Sequence, residues 1–308
     1  MQVQRGMSSL LYVVSSILLS TSICNANANS NVNNIKETPI VTYGGEIKLF
    51  GEHDEVIHSP LPSDTIKTED LPVGWDWREE GPDGLSVLTT DLNQHIPVYC
   101  GSCWAHASMS TLADRLKIAS GGRSRDVIPS IQVLLNCGEY VGTCGGGDIH
   151  AAFRWVYANT IPDVTCQQYE AVDKECSAIN TCATCSGSNC TAVAPTDYST
   201  VKVTEYGRVI GDESIQKEIM GRGPVACYLN ANCLKTYQPG DIAPYDNCKP
   251  YYFDHAIQLN GWGVDDDGTE YWIGRNSWGT YWGDAGFFRI VRGGNYDPIG
   301  CYWAQPEL

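Results

Sequence analysis

Basic side chains are scarce in this chain. It has 20 Lys and Arg against 36 Asp and Glu, a formal net charge of −16 and a pI near 4.6. Proteins that read nucleic acid carry basic patches, so that class of partner is excluded. The same balance lessens self-repulsion in an acidic compartment, because net charge shrinks as pH approaches the pI. Long apolar runs are also lacking. Leu10 to Ile23 is apolar for about 14 residues, short of the ~20 that a helical membrane span needs. No later segment is apolar enough to span. No internal repeat is present, which excludes solenoids and propellers. Residues 29–70 lack cysteine and any sustained helical period, and are rich in Asn, Pro, Thr and Glu. They read as extended or loose chain.

The N-terminus has the layout of a signal peptide over residues 1–28. Arg5 supplies the positive start, Leu10 to Ile23 the apolar run and Ala26-Asn27-Ala28 a small-residue cleavage site. Residues 29–70 then form a short prosegment, and 71–308 a mature unit long enough for one two-lobed globule. The expected location is the secretory pathway, ending in a lysosome or outside the cell. Fourteen cysteines fit that oxidising route. Removing Cys24 with the signal and reserving Cys103 as a free thiol leaves twelve, enough for six disulfides. Cys166, Cys176, Cys182, Cys185 and Cys190 include a Cys-x-x-Cys that also suits zinc, but disulfides are favoured in a secreted chain. No metal and no cofactor are expected. Asn189-Cys190-Thr191 is a glycosylation sequon whose middle residue is itself a candidate disulfide cysteine.

The pattern predicts an α+β fold in which helices precede strands. Ser102 to Ala119 reads as a helix stopped by Gly121-Gly122, with further helices at 130–136 and 150–159. This helical lobe covers about 85–195. Beyond Tyr198 the texture becomes strand-like: 201–206, 225–229, 256–259, 270–273 and 286–291, bounded by Gly, Asp and Pro. That β-rich lobe covers about 196–308.

Cys103 opens the first helix, where unpaired backbone N–H groups favour a thiolate. A nucleophilic cysteine needs an imidazole, a group to orient that imidazole, and donors for an oxyanion. The mature region offers His95, His106, His150 and His255. His106 lies one turn past Cys103 on the same helix, which leaves it little freedom to face a substrate. His255 fits better. A turn centred near residue 266, in Asp265 to Gly268, pairs 255 with a residue close to 277, so the hairpin brings His255 beside Asn276. Trp278 would shield that pair from water. Gln94, just before the cysteine loop, is the candidate oxyanion donor. The alternative for each residue alone is an ordinary structural role.

These motifs resemble those of papain-like cysteine proteases. The resemblance runs over about 71–308, through Trp-Asp-Trp-Arg (75–78), Cys-Gly-Ser-Cys-Trp (100–104), Asp-His-Ala (254–256), Gly-Trp-Gly (261–263) and Arg-Asn-Ser-Trp-Gly (275–279). It implies a helical left lobe, a barrel-like right lobe and a cleft between them. By the same resemblance Cys103 is the nucleophile, His255 the acid and base, Asn276 its orienter and Gln94 the oxyanion donor. Gly146 and Gly147 are implied to pair with an extended substrate.

Between Gln94 and Cys100 the chain carries His-Ile-Pro-Val-Tyr, three residues more than the papain pattern. The insertion is similar to the mini-loop of the cathepsin X (cathepsin Z) group, which also shares Trp-Ala-His-Ala-Ser and a short prosegment. The implied activity is a carboxypeptidase that removes single C-terminal residues. His95, when protonated, would bind the terminal carboxylate, aided by Tyr99 and Trp278. Its partners would be peptides and proteins with a free C-terminus and its own prosegment, and it would act as a monomer. The alternatives are an endopeptidase or carboxydipeptidase of the same family, or a non-catalytic binding protein on this scaffold. The resemblance also implies disulfides Cys100–Cys144, Cys137–Cys176, Cys166–Cys182, Cys185–Cys190 and Cys227–Cys301, with Cys233–Cys248 as an additional pair.

Overall fold

The computed structural model describes residues 54–244, 253–293 and 300–308. The signal peptide, most of the prosegment and Cys248 lie outside those residues. The α-helices are α1 (Pro62–Thr65), α2 (Cys103–Ala119), α3 (Ile131–Cys137), α4 (Ile149–Ala158) and α5 (Asp212–Arg222). Helix α2 is buried around its whole circumference for the first 13 of its 17 residues, Cys103 through Arg115. It is therefore a central helix rather than an amphipathic one. It ends where Gly121 and Gly122 take positive φ, which a side-chain-bearing residue adopts only with strain. Ser130 caps α3 by accepting from Val133 N, and Asp148 caps α4 by accepting from Ala151 N at 2.7 Å.

An eight-stranded sheet builds the other half. Its order is Ile242–Ala243, Phe287–Val291, Glu270–Arg275, His255–Val264, Val225–Leu229, Cys301–Pro306 and Val203–Val209, with Trp75–Asp76 pairing off this path against His255–Val264. The sheet is open, not a closed barrel. Two buried clusters flank it. One joins α2, α3 and α4 to Val203, Tyr206, Ala226, Tyr228 and Tyr302. The other joins α5, Trp77, Val87 and Leu88 to the opposite sheet face, around Trp262, Trp272 and Trp303.

Three elements differ from the sequence expectation. Helix α5 occupies a stretch that reads as part of a strand-rich region. Ile215, Ile219 and the partly buried Met220 give it a narrow apolar face, and it hides Lys217 and Glu218 besides. The closing strand Cys301–Pro306 was not among the expected strands, although a stretch rich in Gly, Asn, Asp and Pro precedes it in the sequence. Residues 62–65 and 68–70 are short helical turns, not extended chain. Pro62 starts the first, where its missing N–H costs nothing. This stretch is also docked, not loose. Val56 and Tyr206 exchange backbone hydrogen bonds at 3.0 Å, so the segment continues the sheet beyond its edge strand. Asp54 accepts from the Tyr206 hydroxyl at 3.0 Å and from His150 Nε2, through its carbonyl, at 2.7 Å. Ser59 donates its hydroxyl to Glu205 at 2.9 Å.

The five disulfides implied by resemblance are present: Cys100–Cys144, Cys137–Cys176, Cys166–Cys182, Cys185–Cys190 and Cys227–Cys301. The zinc alternative for the cysteine-rich segment is thus replaced by bridges. Across the two halves runs a buried ion pair. Arg115 on α2, fully inaccessible, donates to Glu218 of α5 at 2.9 Å and to the carbonyls of Gly223 and Pro224. Glu218 also pairs with Arg222. Removing the carboxylate strands a buried guanidinium, so Glu218→Ala is expected to destabilise the fold by about 3–5 kcal/mol. Arg115→Met, which leaves Glu218 paired with Arg222, should cost less. Thermal melts of the two variants at one pH check this order.

Candidate active site

The nucleophile candidate sits where the sequence places it, at the first position of α2, and is completely buried. It is not a free thiol. Cys103 is disulfide-bonded. Cys233 is bonded in the same way. The expectation that Cys103 stands reduced is therefore corrected. The physical reason is its position: a thiolate favoured by a helix N-terminus attacks disulfide sulfur readily, so it is readily captured.

His255 begins the His255–Val264 strand and is buried. Its Nε2 donates to Asn276 Oδ1 at 2.8 Å. The hairpin register is Gln258 opposite Arg275, with a bulge between Leu259 and Gly261, and Asn276 lies one residue beyond the paired strand. The backbone N–H of Ser277 also donates to Asn276 Oδ1, at 2.8 Å. A backbone N–H can only donate, so the amide orientation is settled: oxygen toward the imidazole. Burial pushes the His255 imidazole down to about 4, while the bond to Asn276 acts in the opposite direction. The Trp278 ring lies against His255, centroids 5.1 Å apart.

Gln94 links the two sides. Its Nε2 donates to the Cys100 carbonyl at 3.0 Å, and its Oε1 accepts from the Ser277 hydroxyl at 2.6 Å. Its backbone N–H donates to the Ser277 carbonyl at 2.8 Å. The carboxamide is thus pinned between the cysteine loop and the segment that carries Asn276. Of its two N–H donors one is committed to Cys100, and the other is available to an oxyanion. Tyr169 supports the same loop by donating to the Gln94 carbonyl at 2.7 Å and lying 2.7 Å from the Ser102 hydroxyl.

The mini-loop packs as a column of rings. Tyr99 stacks on His95 at 4.9 Å, His95 on Trp278 at 6.2 Å, and Trp278 lies against His255. The His95 N–H of the main chain donates to Asn93 Oδ1. Its ring Nε2 is buried and has no hydrogen-bond partner among the described residues. Burial holds the His95 imidazole below its usual range. Gly146–Gly147 pairs with Gly142–Thr143 in a two-stranded ribbon over Trp104. A Cβ on Gly147 would collide with the Trp104 indole, so this glycine is needed for packing whatever it offers a substrate.

His106 is buried and bonded to Ser102, with Tyr169 edge-on to its ring at 4.8 Å. Burial pushes it down to about 4. It faces the helix start and not a substrate. Ser277 and Tyr169 are positioned in the site and were not among the expected site residues. Ser277 sits within the Asn-Ser-Trp motif, where its hydroxyl had a signal. Tyr169 comes from an irregular segment and had none. Among the described residues no group of His, Cys, Asp or Glu is arranged to hold a metal ion.

The disulfide at Cys103 has a direct consequence. Without reductant, Cys103 should resist alkylation by iodoacetamide. After mild reduction it should be the fastest-labelled cysteine, because it alone begins a long helix. Peptide mapping by mass spectrometry reads this, and labelling of Cys103 before reduction would contradict the bond.

The comparisons with known proteins point to one family. Residues 71–304 match the family described as papain family cysteine protease. The chain is 39% identical over 249 residues to cathepsin Z of Onchocerca volvulus, covering 77% of this chain and 79% of that protein. It is 28% identical over 234 residues to cathepsin B-like CP3 of Giardia intestinalis, covering 75% and 73%. Among solved structures, digestive procathepsin L2 of Tenebrio molitor superposes with a TM-score of 0.63 at 27% identity, over 81% of this chain and 73% of that one. Bromelain of Ananas comosus, in complex with E64, does so with a TM-score of 0.60 at 27% identity, over 77% and 100%. The chain belongs to the papain family of cysteine proteases.

Proposed function

We propose that the protein is a carboxypeptidase that removes single residues from the C-terminus of peptides and proteins. The observation that carries this reading is the buried, unpartnered Nε2 of His95, separated from His255 by the one ring of Trp278. A donor there lies about one residue beyond the scissile bond and suits a terminal carboxylate, with Tyr99 and Trp278 beside it. The mini-loop closes the cleft, and its tip exposes Ile96 and Val98. Gly146 and Gly147 are proposed to hold the substrate's extended backbone on the other side.

In this reading Cys103, once reduced, attacks the carbonyl of the last peptide bond as a thiolate. Its negative charge faces His255 and raises an imidazole that burial alone holds down, so the pair is stable as thiolate and imidazolium. The oxyanion accepts from the free Nε2–H of Gln94 and from the Cys103 backbone N–H. His255 gives its proton to the departing amino acid, and water then hydrolyses the thioester with His255 as base. Asn276 keeps the imidazole aimed throughout. The disulfide at Cys103 marks the described chain as a latent form that reduction activates. A prosegment over 29–70 and a lysosomal or extracellular location fit the five bridges. No helix among the described residues is long and apolar enough to cross a membrane.

The test uses one peptide with a free C-terminus and its amidated twin, after mild reduction. The free peptide should lose one residue and the amide should be spared. Equal internal cleavage of both would support the endopeptidase alternative. His95→Asn should erase the difference while leaving the Cys103 thiol reactive. Gln94→Ala should lower kcat by about 10²–10³-fold.

The pH dependence has a definite sign. His95 must be protonated to hold the carboxylate, and burial lowers its pKa in the free enzyme. Selectivity for the free C-terminus, measured as the ratio of kcat/KM values for the two peptides, should therefore be largest in acid. It should fall as pH rises, with a midpoint below the ordinary histidine value of about 6.5. A ratio constant from pH 4 to 8 would remove His95 from this role.

A further inference from the structure

Beside Asn276 lies a cavity of about 10 Å³. Its lining includes Ala107 and Ser110 of α2, Gln258, and Asn276 itself. That is room for one water molecule, which needs about 10–15 Å³ on this measure. Among the described residues, two buried polar atoms of the lining have neither a hydrogen-bond nor an ion-pair partner: Asn276 Nδ2 and Gln258 Oε1. Neither can be relieved by turning its amide over. Asn276 Oδ1 is fixed by the Ser277 N–H, as described above. Gln258 Nε2 donates to the buried Asp114 carboxylate at 2.6 Å, an acceptor that would repel the Gln258 oxygen. One orphan is a donor and the other an acceptor. An unsatisfied buried amide group costs free energy, and a water bonded to both relieves the two costs at once.

We propose that the cavity holds a single structural water that accepts from Asn276 Nδ2 and donates to Gln258 Oε1, which makes Gln258 a positioning residue for Asn276. Ser110 lines the same cavity. The arrangement grips the Asn276 amide from both ends. Its oxygen is held by Ser277 and His255, and its nitrogen is held through the water to Gln258. Gln258 is in turn fixed by Asp114, which also binds Arg275, the residue preceding Asn276. The aim of the imidazole then depends on a side chain that touches neither substrate nor His255 through its own polar atoms. This inference rests on the proposed catalytic role of Asn276, but the water site itself does not.

The first test is a crystal structure of the wild-type protein at a resolution that shows ordered water. One density peak within hydrogen-bond distance of both Asn276 Nδ2 and Gln258 Oε1 is expected, and an empty or apolar-filled cavity there overturns the proposal. This result is independent of whether the enzyme is a peptidase. The second test compares Gln258→Met, which removes the acceptor, with Ala107→Val, which fills the space without touching a polar group. Each is assayed per titrated Cys103 thiol, so that loss of folded protein does not count. Both should lower kcat about 10-fold with KM little changed. Both should also shift the alkaline limb of the kcat/KM profile to lower pH, because a loosened Asn276 stabilises the imidazolium less. Normal kcat and an unmoved alkaline limb, in a variant whose structure has lost the water, would reduce Gln258 to a structural residue. Absence of any peptidase activity in the wild type, with the water present, would defeat the catalytic reading and leave the site standing.

Discussion

The carboxylate of Asp114 is the point to which the rest of the structure is tied. It is completely buried on α2, and it accepts from Thr89 N–H and Thr89 Oγ1 at 2.7 Å each, from Gln258 Nε2 at 2.6 Å and from Arg275 Nη1 at 3.1 Å. A buried charge is tolerated only when its lone pairs are met in this way. The partners come from the two strands that carry His255 and lead into Asn276, and from the segment that leads into Gln94. The helix that begins with Cys103 is therefore locked to each of the other members of the site through one group. Arg275 adds Asp91, 2.9 Å away, to the same cluster. A papain-family site is assembled from chain far apart in sequence, and here the assembly is polar and buried rather than merely packed.

Much of this was legible in the residues themselves. Cys103 and the start of α2 follow from a cysteine motif ahead of an apolar run, and the pairing of His255 with Asn276 follows from a turn at 265–268 and simple counting. Other parts were not legible for physical reasons. The bulge between Leu259 and Gly261 shifts the hairpin register, and turn position alone carries no sign of it. Helix α5 hides charged residues through a specific ion pair, and pattern reading takes charge as exposure. Asp114 and Gln258 are polar residues whose burial depends on partners up to 161 residues away in the chain. No local window contains that information.

The state of Cys103 shows the limit of chemistry read from motifs. The motif gives reactivity, and reactivity is the property that leads to capture in an oxidising compartment. An even count after setting one cysteine aside looks like bookkeeping in favour of a free thiol, yet Cys103 is bonded. The aromatic column of Tyr99, His95, Trp278 and His255 makes a comparable point. Its rings come from the cysteine loop and from two regions of the sheet half, so its continuity belongs to the fold.

The Val203–Val209 strand stands at one end of the large sheet, and residues near Val56 pair along its outer side. A chain shortened to begin near Leu71 loses that cover. Its sheet then ends in a row of unpaired backbone groups, the kind of border along which copies of a protein join strand to strand. Lys202, Glu205 and Arg208 lie in or beside that strand. Their charges on the uncovered rim oppose such joining, so the same stretch that seats the N-terminal segment also keeps the shortened protein from growing into sheets of its own.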